Sequence, residues 1–134
     1  EEVEVVKNTT TNIIATASSI LTAKDILEIQ QLIRKVPVAD NVIEYAVALV
    51  GKTRPKSDEA TDLVKQYLDW GAGPRASQNL ILAAKANAAV KGKYSPDIED
   101  VKAVAIPILS HRIVKNYKAE AENITVSDII ESLL

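Results

Sequence analysis

The sequence predicts an all-α fold, a small bundle of about five or six helices behind an irregular N-terminal connector. Three observations carry this. From Thr22 onward, apolar residues recur at helical spacing. The recurring segments begin at capping residues or prolines and end at prolines or glycines. No two strand-like runs joined by a hairpin turn follow residue 20.

Residues 1–8 are acidic at the front and carry Val3, Val5 and Val6. They read as the stub of a helix or strand that belongs to further structure. Residues 9–12 are poor helix formers, and residues 13–19 show no clean 3.6 period, so residues 1–20 read as a connector or frayed terminus. Thr22 and Asp25 have the spacing of a helix start, with the acid near the positive helix end. Ile26, Ile29, Ile33 and Val36 follow as a stripe, and Pro37 stops it. Asp40 is placed to cap the next helix, with Ile43, Ala46, Val47 and Val50 on one face and Gly51 at its end.

A polar loop over residues 52–57 ends at Ser57, a candidate cap for a stripe of Ala60, Leu63, Val64, Tyr67 and Leu68. Trp70, Gly71, Ala72 and Gly73 break that helix. Pro74 suits a first turn, and an alanine-rich helix runs from it to Val90, with Gly92 as its stop. Ser95 and Pro96 restart the chain, with Asp97, Glu99 and Asp100 crowding the positive end of the next helix. Ile98, Val101, Ala105 and Ile108 face inward there, and Pro107 should kink or break it. A last helix starts after Thr125 or Ser127 and carries Ile129, Ile130, Leu133 and Leu134.

Composition narrows the chemistry. At 134 residues the chain makes one domain, and 47% hydrophobic with 25% charged residues is a globular balance. A net charge of -2 recruits neither nucleic acid nor an anionic membrane. Without cysteine, thiolate nucleophiles, disulfides and cysteine metal sites are excluded. No segment has the form of a secretory signal or a membrane span, which reads as a cytoplasmic protein with no direct membrane insertion. The chain lacks methionine and starts at Glu1, which reads as a piece cut from a longer protein.

The strongest local signal is the run from Gly71 to Ser77, where a flexible loop delivers Arg75 into the first turn of a helix. A cation at that end is unfavourable by a few tenths to about 1 kcal/mol unless an anion sits in front of it. The guanidinium fork suits phosphate. Two roles stay open on this ground alone: a phosphate ligand, or a solvated surface arginine. His111 and Arg112 suggest a helix C-terminal cap or a packing pair more than catalysis. Tyr67 and Trp70 fit either a base-stacking platform or, preferably, the closure of the bundle below the loop. Arg54, Lys56, Lys91 and Lys93 are too scattered for a nucleic-acid stripe. Asp97, Glu99 and Asp100 are explained by their helix start without a metal.

The run Gly-Ala-Gly-Pro-Arg-Ala-Ser at 71–77 resembles the sensor 2 segment of the MoxR branch of AAA+ ATPases, followed as there by an alanine-rich helix. The resemblance continues in order through residues 92–102, from Gly92 by Pro96, Asp97 and Val101 to Lys102. It goes on through Ile108, Leu109, His111 and Arg112, and then through residues 117–122. It covers the chain from about Leu21 to the end. Gly73 departs from a usual small polar residue, and Lys93 from a usual Arg-Asp pair; residues 52–67 look like a variable insertion.

The resemblance implies a helical lid over residues 21–134, with residues 1–20 as the remnant of a preceding ATPase domain. It makes Arg75 the sensor 2 residue, with Gly73 and Pro74 beside the nucleotide. It implies ATP and Mg²⁺ in the full-length protein, hexameric ring neighbours, chaperone-like remodelling of client complexes and a von Willebrand factor A-type partner. No complete catalytic set, no metal site and no tightly bound nucleotide are expected in these residues alone. The alternative is a stand-alone helical protein-interaction module, which needs an exposed apolar face.

Overall fold

The computed structural model describes residues 1–10 and 18–134. Among them the order is α1 (Glu2–Thr9), α2 (Ala23–Lys35), α3 (Asp40–Lys52), α4 (Asp62–Tyr67), β1 (Leu68–Trp70), α5 (Pro74–Val90), α6 (Ile98–Leu109), β2 (Val114–Lys115), α7 (Tyr117–Ala121) and α8 (Val126–Glu131). These are eight helices among the described residues, against the five or six expected. The two additional ones are short. α1 lies in the connector, on the residues read as the stub of a helix or strand, and the unforeseen α7 is a single turn and a half capped by Asn116. The rest of the connector reading, at residues 11–17, lies outside the described residues.

Local chemistry explains most helix starts. The Thr22 hydroxyl accepts from the Asp25 N–H at 3.2 Å, and Asp25 accepts from the Thr22 N–H at 2.8 Å. Thr125 and Asp128 make the same reciprocal box at α8, at 3.1 and 2.9 Å. These boxes satisfy backbone donors that a helix start otherwise leaves open. Three starts fall elsewhere than expected. Asp40 is the first helical residue of α3, and Ala39 caps it without a side-chain bond. Ser57 only turns the chain, accepting from the Glu59 N–H, and α4 begins later, capped by Thr61. At α6 the cap is Asp97, paired with Asp100, while Pro96 lies before it and is buried. Gly51 does not end α3, which runs through it to Lys52. Pro107 does not end α6 either, which continues to Leu109.

The core lies between α3, α5 and α6, closed by α8. Ala76, Leu80, Ala84 and Ala88 recur every fourth residue along α5 and are buried. Three alanines in that row leave room for the backbones of α3 and α6 to approach closely. α6 answers with Val101, Ala105 and Leu109, and α3 with Val42, Ala46, Leu49 and Val50. The α3 face is therefore rotated from the expected one: Ile43 and Val47 are exposed. α2 departs further, because none of its residues is buried and Ile26, Leu27, Ile29 and Leu32 face outward.

A small sheet also forms. β1 pairs antiparallel with β2, Leu68 opposite Lys115 and Trp70 opposite Val114. The expectation had α4 running on to the glycines. Its strand partner comes from far along the chain, so no hairpin signal announces it.

Candidate functional site

Arg75 is the second residue of α5, after Pro74. Gly73 is the cap residue, with extended backbone, no side-chain cap bond and open space around its α-carbon. The first turn of α5 contains no acidic residue. The Arg75 side chain is exposed and makes no hydrogen bond or ion pair with a described residue. A cation thus stands at the partially positive end of a 17-residue helix, with nothing among the described residues to neutralise it.

The loop that leads to Arg75 is held firmly. Thr53, directly after α3, is fully buried. Its hydroxyl donates to the Val50 carbonyl at 2.7 Å and accepts from the Ala72 N–H at 2.9 Å. The neighbouring Arg54 donates from Nε to the Ala72 carbonyl at 3.0 Å. Both backbone polar groups of buried Ala72 are therefore satisfied by two successive side chains of one turn. Gly71 sits so close to that turn that a Cβ would lie 2.2 Å from the Thr53 carbonyl oxygen and 2.6 Å from the Arg54 α-carbon. On the other side, the Asn116 N–H donates to the Tyr67 carbonyl at 2.9 Å, and its side-chain amide donates to the Gln66 carbonyl at 2.8 Å. A cleft of about 300 Å³ opens beside the loop, lined by Arg54, Lys56, Asp69, Trp70, Gly73 and Pro74 among others.

The opposite end of α5 is built in the other style. Gly92 adopts a positive φ of 73°, and the Gly92 and Lys93 N–H groups donate back to Ala89 and Ala88. This glycine closure satisfies the last carbonyls of the helix. Beyond it, buried Asp100 accepts from Lys93 at 2.9 Å, Lys91 at 3.0 Å, Asn87 at 3.0 Å and the Asp97 N–H at 3.1 Å. Burial alone would raise this carboxyl. The bonds from Lys93, the Asp97 N–H and Lys91 outweigh it and hold the group well below the usual carboxylate range. Asp97 and Asp100 are thus structural, as the helix-start reading held.

Other expected residues scatter. Tyr67 is half-buried, and its hydroxyl donates to Glu122 at 2.6 Å, joining α4 to α7. Trp70 does not close the bundle, since it is 70% exposed on β1. His111 neither caps nor packs. It is exposed beyond the end of α6, with its Nε2 against the Arg112 guanidinium. Thr53 and Arg54 were not singled out from the sequence. A signal existed for Thr53: it continues the helical spacing of Val42, Ala46, Leu49 and Val50, and a hydroxyl in a buried register needs a partner.

Comparison with known proteins places this geometry. The AAA lid domain family matches residues 60–133, so the end of the stretch read as an insertion lies inside the family's own pattern. Over 118 residues, 88% of this chain, the sequence is 33% identical to Chaperone MoxR1 of Mycobacterium tuberculosis and spans 31% of that protein. A crystal structure of a candidate ATPase from Cytophaga hutchinsonii superposes with a TM-score of 0.87 at 36% identity, covering 98% of this chain and 40% of the other. The chain spans less than half the length of either relative. The resemblance carried by residues 71–77 and the motifs after them agrees with all three matches, and the chain belongs to the AAA lid domain family.

Proposed function

We propose that this chain acts as the lid of a MoxR-type AAA+ ATPase, with Arg75 as the residue that reads the nucleotide phosphate. One observation carries the reading: Arg75 stands exposed, with no partner among the described residues, in the first turn of α5, where no acid or side-chain cap offsets its charge. A phosphate in front of it would meet a guanidinium fork and a helix N-terminus together. Gly73 and Pro74 border that position with little bulk, so a nucleotide can approach the helix end. Residues 21–134 form the lid in this reading, and residues 1–20 connect it to a preceding ATPase domain.

ATP is the substrate of the whole protein. Mg²⁺ would neutralise phosphate charge there. Among the described residues no group of three carboxylates or imidazoles is placed to hold it, so this chain's contribution is the arginine. The lid position would then follow ATP or ADP, and ring neighbours would feel the change. A hexameric ring, chaperone-like remodelling of client complexes, a von Willebrand factor A-type partner and a cytoplasmic location complete the proposal. No described helix is long and apolar enough to cross a membrane.

The test is Arg75→Ala in the full-length protein. ATP turnover or nucleotide-dependent assembly is expected to fall on the order of a hundredfold, the scale of losing one charge-stabilising group. Unchanged turnover and assembly reject the sensor role. A second reading, a stand-alone interaction module, draws on the outward apolar face of α2. It requires partner binding that ignores nucleotide and survives Arg75→Ala.

A further inference from the structure

We infer that Thr53 and Arg54 are positioning residues for Arg75. This rests on the sensor reading above and extends it to a segment that had looked like a variable insertion. The Thr53 hydroxyl bridges the last turn of α3, through Val50, to the Ala72 N–H, and Arg54 takes the Ala72 carbonyl. Ala72 lies three residues before Arg75, and both of its hydrogen-bonding groups are held by α3's exit.

Between this clamp and Arg75 stand only Gly73 and Pro74. Proline's φ is locked, so the clamp leaves Gly73 as the one soft joint. Gly71 closes the clamp from the other side, because no side chain fits between it and the Thr53 backbone. The backbone that carries Arg75 is thereby anchored to the exit of α3, not merely to its own flexible loop. A side chain that must meet a phosphate gains from such a fixed base, since a displacement of about 1 Å at a reacting group costs on the order of a hundredfold in rate.

The experiment is a double-mutant cycle in the full-length ATPase, with thermal unfolding measured beside turnover. Thr53→Val keeps shape and removes both hydroxyl bonds, and Thr53→Ser restores them. Arg54→Ala removes the second bond from an exposed residue without opening the core. Thr53→Val and Arg54→Ala are each expected to lower kcat about tenfold, with Thr53→Ser near wild type. In an Arg75→Ala background neither should lower kcat further, because the arginine they position is gone. Any loss of Tm should be the same in both backgrounds.

Turnover unchanged by Arg54→Ala, and by Thr53→Val if that variant folds, while Arg75→Ala is impaired, overturns the clamp and leaves the sensor. A further drop in the Arg75→Ala background also overturns it, since the residues then act independently. Arg75→Ala without effect overturns both.

Discussion

The two ends of α5 solve opposite problems. At the C-terminal end, Gly92 turns the backbone, and Asp100 gathers two lysines, an amide and a backbone N–H, so every charge has a partner. At the N-terminal end, Gly73 offers no cap, the first turn has no acid, and Arg75 has no partner among the described residues. One end is finished within the chain and contributes stability. The other leaves a charge that the fold itself does not use, and rigidity is supplied from behind by Thr53 and Arg54. Function is better sought at the unfinished end, because an isolated domain gains nothing from an unpaired cation at a helix N-terminus.

The comparison predicts where substitutions hurt folding and where they hurt activity alone. Gly71→Ala should be the most damaging to the fold. Its Cβ would meet backbone, which cannot swing aside, and about 3 kcal/mol of stability should be lost. Urea unfolding of the isolated chain checks this; a midpoint equal to wild type would show that the loop is less tightly clamped than described.

Asp100→Asn should cost about 2 kcal/mol. It removes a buried, fully bonded carboxylate, but Lys91 and Lys93 are partly exposed and can rehydrate. The pH dependence follows from the lowered carboxyl. Its stabilisation is present above the unfolded value of about 4 and is lost as pH falls toward the folded one. Wild type should therefore lose stability in acid more steeply than Asp100→Asn. Equal slopes would remove Asp100 from the account. Asp25 and Asp128, held low by the hydroxyls and N–H groups of Thr22 and Thr125, should leave the variant with some acid sensitivity.

The smallest effect sharpens the contrast at the other end. Gly73→Ser supplies the missing cap in open space and should stabilise the chain by a few tenths of a kcal/mol. If α5's start is left open for a ligand, the same variant should not improve turnover in the full-length protein. Improved turnover together with improved stability would mean that Gly73 is a neutral gap.

Much of this was legible in advance, for an identifiable reason. Thr22 with Asp25, Thr125 before α8, and Pro74, Val90 and Gly92 around α5 all act through bonds within one helical turn. Arg75's place at a helix start followed from the same local chemistry. The misread starts were local too: Ser57 and Thr61, or Ser95 and Asp97, are competing caps a few residues apart. Only packing selects between them.

The sequence by itself determined the bounds of α2 and α5 and the start of α8, and that an arginine would stand at the open end of α5. Tertiary structure decided which faces are covered. α2 has the spacing of a buried helix and yet lies open, while α3 turns Val42 and Leu49 inward and leaves Ile43 and Val47 outside. It also joined β1 to β2, and Thr53 to Ala72, across long stretches of chain. Periodicity shows that a face is apolar. It does not name the partner, because burial and cross-chain hydrogen bonds depend on residues that no local window contains.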